Sequence, residues 1–364
     1  MQGGVYLLFL LTMFSNLFPM NYESVDSFST IEKVTVIKEV VKIDESANVQ
    51  ISLVGDLLMD ASIRGQIERN GWDYPWEMVK EYFQNDDISI GNLETSITTG
   101  GTKWPNKQFN FRSDPRNLKA MENAGIDILS LANNHILDYG YDGLIDTINH
   151  IDNTRIKRVG AGKNKEDAMK GVIIEKQGVK VGILSASRVV PDVEWYAGDG
   201  RPGLIGAYDV HIEGLLKQVE NMKRDVDLLL LSIHWGIEGS PQPKEEDMKL
   251  AKRLIDGGVD IVMGHHPHVL QGIEIYKGKP IFYSLGNFVF GTIGELTSNT
   301  MIAQVNLVDG KMDNIEIIPF NIEAGRPIPV TEDVRRSKID YLNKISKDFG
   351  VRINKKGIIK LDNY

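Results

Sequence analysis

The sequence predicts a layered α/β domain in which two mixed sheets are flanked by helices. Three observations carry this. From Val49 onward, short apolar runs alternate with stretches whose apolar residues recur every three or four positions, the pattern of strands alternating with amphipathic helices. Six of the runs finish in Asp, Asn, Glu or His, and four of these six put Gly directly after the run. Five of the seven histidines fall in these endings. In open α/β sheets ligands bind outside the carboxyl ends of the strands, so the chemistry is expected along one sheet edge.

Residues 5–18 are almost wholly apolar, broken by Thr12, Ser15 and Asn16. That length suits the hydrophobic region of a signal peptide and is short for a membrane span. No Lys or Arg precedes the run and no small-x-small cleavage pattern follows it, so a buried N-terminal helix stays open. The expectation is export, with residues 1–20 cleaved or kept as an anchor. Residues 21–48 read as a spacer, 49–325 as the folded domain, and 326–364 as a tail with one helix.

Within the domain, the six runs are 51–54, 88–90, 126–131, 228–233, 259–263 and 280–285. A helix over 61–70 follows Asp60, an expected N-cap, and Gly71 closes it. One over 115–124 carries Pro at its first turn. Residues 139–151, 209–223 and 245–256 show helical spacing. Residues 172–175 and 180–186 form a hairpin around Gln177-Gly178, and 301–307 with 312–319 a second around Asp309-Gly310. The tail holds a helix over 332–349 and a last strand within 351–361.

Composition narrows the function. The chain has 364 residues and a formal net charge of -9, which argues against general nucleic-acid binding, since that needs a basic face. Without cysteine there is no disulfide, no thiolate metal site and no cysteine nucleophile.

Asp, Glu, Asn and neutral His make a mixed nitrogen and oxygen ligand set that suits zinc, manganese or iron, and two such ions can share a carboxylate. Asp56 is a candidate bridging or first-ion ligand, with a helix N-cap as its alternative. Glu94 is a second candidate, against a solvated loop acid. Asn134 resembles an amide-oxygen ligand beside His135, which would contact the reacting group; a left-handed turn at Asn134 is the alternative. His234 ends a buried run before Trp235-Gly236. In 259–268 the run ends in His265-His266-Pro267-His268. On an extended segment His266 and His268 share a side and are the expected ligands, while His265 points the other way as a supporting group. Asp138 either orients His135 or caps the next helix. Asn287 is expected to hold backbone at the rim, and Glu238 lies within reach of the site after His234. Residues 100–116 carry Lys103, Lys107, Arg112 and Arg116 against one acid, Asp114. They read as a positive wall for phosphate or carboxylate groups, or as a solvated loop. Residues 188–202, with Trp195 and Tyr196, read as a lid.

Taken in order, Gly55-Asp56, Gly91-Asn92-Leu93-Glu94, Ala132-Asn133-Asn134-His135 with Asp138-Tyr139-Gly140, Ser232-Ile233-His234-Trp235-Gly236, Gly264 to His268 with Val269, and Tyr283-Ser284-Leu285-Gly286-Asn287-Phe288 resemble the bacterial capsule-synthesis CapA-type family. This is the poly-γ-glutamate synthesis protein family, related to calcineurin-like metallophosphoesterases. The resemblance spans roughly 49–319. It implies a four-layer α-β-β-α sandwich and an extracytoplasmic protein with an N-terminal anchor. It also implies work beside membrane-bound polyglutamate synthesis proteins in making or exporting capsule polymer. A metal-dependent hydrolase site acting on an anionic polymer or phosphoester would use Asp56, Glu94, Asn134, His234, His266 and His268 as ligands for one or two divalent ions, with His135 as acid or electrostatic stabiliser. The sequence departs from ordinary metallophosphoesterases in two places. Asp56 is followed by Leu57-Leu58 where Asp-x-His is usual, and Gly91-Asn92-Leu93-Glu94 stands for Gly-Asp-x-x-Asp. A non-catalytic member of a membrane synthesis-export complex is the competing reading, and a cytosolic nucleotide phosphatase a third.

Overall fold

A computed structural model describes residues 48–361. The expectations for an N-terminal signal or anchor and for most of the spacer lie outside these residues. In chain order the strands that build the two large sheets are β1 (Asn48–Leu57), β2 (Ile88–Leu93), β3 (Ile128–Ser130), β4 (Lys157–Val159), β5 (Val172–Lys176), β6 (Val179–Ser187), β7 (Leu228–His234), β8 (Ile261–His265), β9 (Ile273–Tyr276), β10 (Lys279–Phe282), β11 (Asn287–Val289), β12 (Asn299–Val308), β13 (Lys311–Glu323), β14 (Arg326–Pro329) and β15 (Ile358–Lys360). The first sheet has nine strands in the order β14-β13-β12-β1-β2-β3-β4, with β11 added to β1 and β15 to β13. The second has six, β9-β10-β8-β7-β6-β5. In both, the central strands that carry the polar endings run parallel: β1 with β2, β2 with β3, and β6 with β7 and β8.

Three apolar cores separate four layers. Ile51, Leu53, Ile88 and Ile90 of the first sheet meet Val181, Ile183, Leu230 and Met263 of the second in one of them. A second lies between the first sheet and helices Ser62–Asn70, Arg116–Ala124 and Gly140–Asp152. The third lies between the second sheet and helices Asp209–Lys223 and Glu245–Asp256. This is the α-β-β-α arrangement that the resemblance implies. It also explains why β7 opens on four consecutive leucines. Leu228 and Leu230 face the inter-sheet core, while Leu229, Leu231 and Ile233 face the helices.

Some sequence expectations change. Asp60 does not cap the first helix; Ala61 holds the cap position without a side-chain bond, and Asp60 accepts from the backbone of Arg112 at 2.6 Å and pairs with Arg64. The run 280–285 is not one strand. β10 stops at Phe282, and the chain then crosses to the other sheet, where β11 joins β1; Gly286, at φ 65°, makes the bend. Residues 188–202 are not a free lid: Trp195 is fully buried and stacks edge-on against Trp104, and Gly203–Leu204 pairs with Ala161–Gly162. The tail packs on the domain. β14 and β15 extend the first sheet, and Ile339 and Leu342 of helix Glu332–Ile345 enter the inter-sheet core.

Candidate metal centre

The parallel strands end together, and their register sets the site. Asp56 on β1 lies opposite Asn92 of β2 on one side and Asn287 of β11 on the other. His234 on β7 lies opposite His265 of β8. The ladder between β1 and β2 shifts between Leu53 and Asp56, where Gly55 lets the carbonyl of Gly286 come in close; a Cβ there would sit 2.0 Å from that oxygen. The displaced backbone is held by the amide of Asp56, which donates to the same carbonyl at 3.0 Å.

Asp56 and Glu94 are fully buried. Oδ1 of Asp56 accepts from Nδ2 of Asn92 at 2.8 Å and lies 3.0 Å from Nδ1 of His265. Its Oδ2 lies 3.2 Å from Nδ1 of His268. Oε1 of Glu94 is 3.5 Å from Nε2 of His234 and 3.7 Å from Nε2 of His268, too far for hydrogen bonds. Asn134 puts Oδ1 at 2.8 Å from Nε2 of His234, and the His234 and His266 rings are 4.8 Å apart. Three groups of donors converge closely enough to hold an ion: Glu94, His234 and His266; Asp56, Glu94 and His268; and Glu238, His266 and His268. Glu94, His266 and His268 each belong to two of them, and Asp56 to one.

The donor set fits a divalent ion on a direct observation. Both carboxylate oxygens of Glu94, Nε2 of His265 and Nδ1 of His266 are buried without a hydrogen-bond partner. Leaving such atoms unpaired costs about 1–3 kcal/mol each, more for a charge, and a hard or borderline cation is the partner that oxygen and imidazole nitrogen donors share. Burial is the largest single influence on the electrostatics of these groups. Burial and then the charge of Asp56 push the Glu94 carboxyl well above its usual range. Burial also acts on Asp56, but the contacts and charges of His265 and His268 outweigh it and hold that carboxyl well below its usual range. Burial, then the charge of His268, takes His266 down to about 3, which keeps a ligand imidazole neutral. Burial, then the charge of His266, likewise takes His234 well below its usual value. His268 goes the other way: burial is outweighed by Glu94 and Asp56, and it rises to about 10.

Strand alternation does not describe the histidine cluster. β8 ends at His265, and His266 and His268 take φ of 94° and 57°. His265 therefore faces Asp56 as well, while the His266 and His268 rings still lie 6.0 Å apart on the same site.

Around the ligand cluster, Nδ1 of His135 lies 2.7 Å from Oδ2 of Asp138 and 2.8 Å from Nζ of Lys107. Lys107 also donates to Oδ1 of Asp138 at 2.5 Å, and the amide of Phe111 donates to its Oδ2 at 2.7 Å. Burial lowers the pKa of His135 against the pull of Asp138, with Lys107 lowering it further. Asn287 accepts from His268 Nδ1 at 2.9 Å and donates to the His268 carbonyl at 3.1 Å, which fixes the turn. The expected positive wall does not form as one surface. Lys107 reaches His135, Lys103 is exposed, and Arg112 lines a separate cavity.

Two residues that the sequence reading quotes within motifs, without giving them a role, support the centre. Asn92 bridges Asp56 and Asn133, and Asn133 in turn accepts from the amide of His135 at 3.0 Å and donates to the Leu93 carbonyl at 2.7 Å. Both stand beside ligand candidates at strand ends, so the same positional signal that singled out Glu94 and Asn134 covers them.

Comparison with known proteins finds relatives over most of the described residues. The model of the bacterial capsule synthesis protein family (PGA_cap) matches residues 50–292. A capsule biosynthesis protein CapA of Bacillus anthracis is 33% identical over 312 residues, covering 85% of this chain and 75% of that one. The PGA biosynthesis protein CapA of Bacillus subtilis is 30% identical over 298 residues, 82% of this chain and 77% of that one. A probable polyglutamine synthesis accessory protein of Mycobacterium tuberculosis is 30% identical over 300 residues, 78% of this chain and 79% of that one. The match takes in the strand ends that carry Asp56, Glu94, His135, His234 and His266, and the chain belongs to the bacterial capsule synthesis protein family.

Proposed function

We propose that this protein serves poly-γ-glutamate capsule synthesis or export outside the cytoplasm, beside membrane-bound synthesis proteins, and that its strand-end centre is a metal-dependent hydrolase of the phosphoesterase kind. The observation that carries the reading is Glu94: a buried carboxylate with no hydrogen bond, shared between two groups of converging histidines and acids. Asp56, Glu94, Asn134, His234, His266 and His268 would hold one or two ions of manganese, zinc or iron. Such an ion supplies Lewis acidity at a phosphoryl or carbonyl oxygen and acidifies water near neutral pH.

The chain's own groups divide the remaining work. His135 Nδ1 either donates to Asp138 or accepts from Lys107 according to tautomer, and either bond fixes the ring and leaves Nε2 uncommitted for a proton to or from the substrate. With its pKa lowered, His135 is neutral near pH 7 and can take a proton or donate a hydrogen bond according to tautomer. Phe111, at 4.6 Å from the His135 ring, covers one face and excludes water there. Lys107 and Asp138 neutralise each other, so their part is to orient the imidazole.

A specific observation supports the accessory reading without turnover. Leu58 occupies the place where metallophosphoesterases carry their first histidine, and it is core. The experiment separates the two. Metal analysis of purified protein is expected to give stoichiometric manganese, zinc or iron. Turnover of an aryl phosphodiester should vanish with the ion in Glu94→Gln and His266→Ala. In His135→Ala the ion should remain while kcat falls about 10²–10⁴-fold. A metal-loaded wild type that is inert, and whose deletion still stops polymer export, would replace the hydrolase with the accessory role. No bound metal would sink the centre itself.

A further inference from the structure

A cavity of about 440 Å³, sharing no residue with the candidate ligand groups, is lined by Arg64, Arg112 and Arg116 together with Trp72, Asp114 and Thr99. Two of the three guanidinium groups are answered by acids. Arg64 lies 2.6 Å from Asp60, and Arg116 grips Asp114 with two bonds of 2.9 and 2.7 Å. Arg112 is different. Its Nη1 makes one long bond, 3.4 Å to the Gly100 carbonyl, its guanidinium sits 4.5 Å above the Tyr139 ring, and no described carboxylate pairs with it. An arginine cannot shed its proton, so a half-buried guanidinium with most of its donors unfilled calls for an anion. Glu68, the other acid on the lining, is exposed at the rim, where solvent screens it.

The chemistry of the cavity selects among anions. One unanswered cation suits a monoanion better than a phosphate dianion, and a planar guanidinium matches the two oxygens of a carboxylate. Met59, Ile67 and Trp72 supply an apolar wall for the methylenes behind it. Position ties the cavity to the centre. Two residues beyond Glu94 the chain forms Ser96–Ile97, which pairs with Arg112–Ser113, and the neighbouring Phe111 amide is bonded to Asp138.

We propose that this cavity is a carboxylate subsite, with Arg112 as its receptor, that holds one side-group carboxylate of an amide-linked acidic chain while another part of the same chain lies at the metal centre. The choice of chain rests on the polymer reading above; the subsite itself does not, because it needs no ion.

The test titrates the full-length protein, treated with EDTA, with a γ-linked glutamyl tetramer and separately with inorganic phosphate, by calorimetry and by Trp fluorescence. The tetramer is expected to bind and to outcompete phosphate. Arg112→Met should weaken it about tenfold or more, and Arg112→Lys by less. Thr99→Glu, a change on an exposed residue, should weaken it equally without lowering the melting temperature, which guards against loss of fold in the arginine variants. Glu94→Gln should bind the tetramer as wild type does even though it loses ion and turnover. Undiminished binding in both Arg112→Met and Thr99→Glu, tighter binding of phosphate, or loss of binding in Glu94→Gln would each overturn the assignment.

Discussion

Glu94 and Asp86 are both buried at the cost of their own charge, and of the two Glu94 stands where a cation would relieve it. Glu94 faces His234 and His268 at the carboxyl ends of the strands. Asp86 lies at the opposite end of β2, where burial first, and then the charges of Asp127 and Asp87, raise its pKa from 3.8 to about 7. The consequence for stability has a definite sign. Between about pH 4 and pH 7 the folded protein holds a proton on Asp86 that the unfolded chain has released. Stability contributed at this residue is therefore present in acid and lost as pH rises through that window. Asp86→Asn removes the slope. Allowing for partial solvent exposure, it should be more stable than wild type at pH 8 by about 1–2 kcal/mol and about equal at pH 4, as read by urea unfolding at both pH values. Equal stabilities at pH 8 would show that the carboxylate is solvated after all.

Strand ends, rather than side chains taken singly, decide where the ligands go, and glycine decides how closely the ends meet. Gly55 sits where β1 shifts register, against the Gly286 carbonyl. Gly55→Ala places a methyl group inside that contact, so either β1 or the 283–287 crossing must move. The expected cost is about 3 kcal/mol or more, with metal affinity lost alongside because Asp56 is the next residue. A chemical-denaturation curve and a metal titration on the same sample check this, and wild-type values in both would refute it. Much of this element-scale plan was legible in the sequence. Helices Asp209–Lys223 and Glu245–Asp256 begin and end where the apolar spacing does, and the polar strand endings named Asp56, Glu94, His234 and His266 before any coordinates. What escaped has physical causes. Periodicity sees that 280–285 is apolar but not that the chain changes sheets within it. Alternation presumes extended backbone, which His266 and His268 leave. A cluster of basic residues in a loop does not say that Lys107 will turn to His135 and Asp138 while Arg112 lines a separate cavity.

At the scale of the whole molecule, residues 332–361 act as a staple across both sheets. β15 pairs with β13 in the first sheet, while the hydroxyl of Ser346 accepts from the amide of Ile273 in the second at 3.0 Å. Asn343 exchanges two bonds, 2.8 and 2.9 Å, with the backbone of Ile353, which holds the segment after the helix in place. Ile339, Leu342, Val351, Ile353, Ile359 and Leu361 all enter the inter-sheet core. Burying one such side chain contributes about 1.5–3 kcal/mol, and a domain is typically stable by only about 5–15 kcal/mol, so removing six of them also uncovers the apolar side chains of both sheets that they pack against. A chain that stops at Pro329 is therefore expected to lose its cooperative thermal transition and expose apolar surface to a hydrophobic dye. Leu342→Ala, which empties one position and leaves the staple in place, should keep the transition and cost about 2–5 kcal/mol. The pair of variants separates the explanations. If the truncated chain still melted cooperatively with the metal centre intact, the tail would be an accessory on a self-sufficient sandwich. If Leu342→Ala alone abolished folding, the core rather than the staple would be what the tail completes.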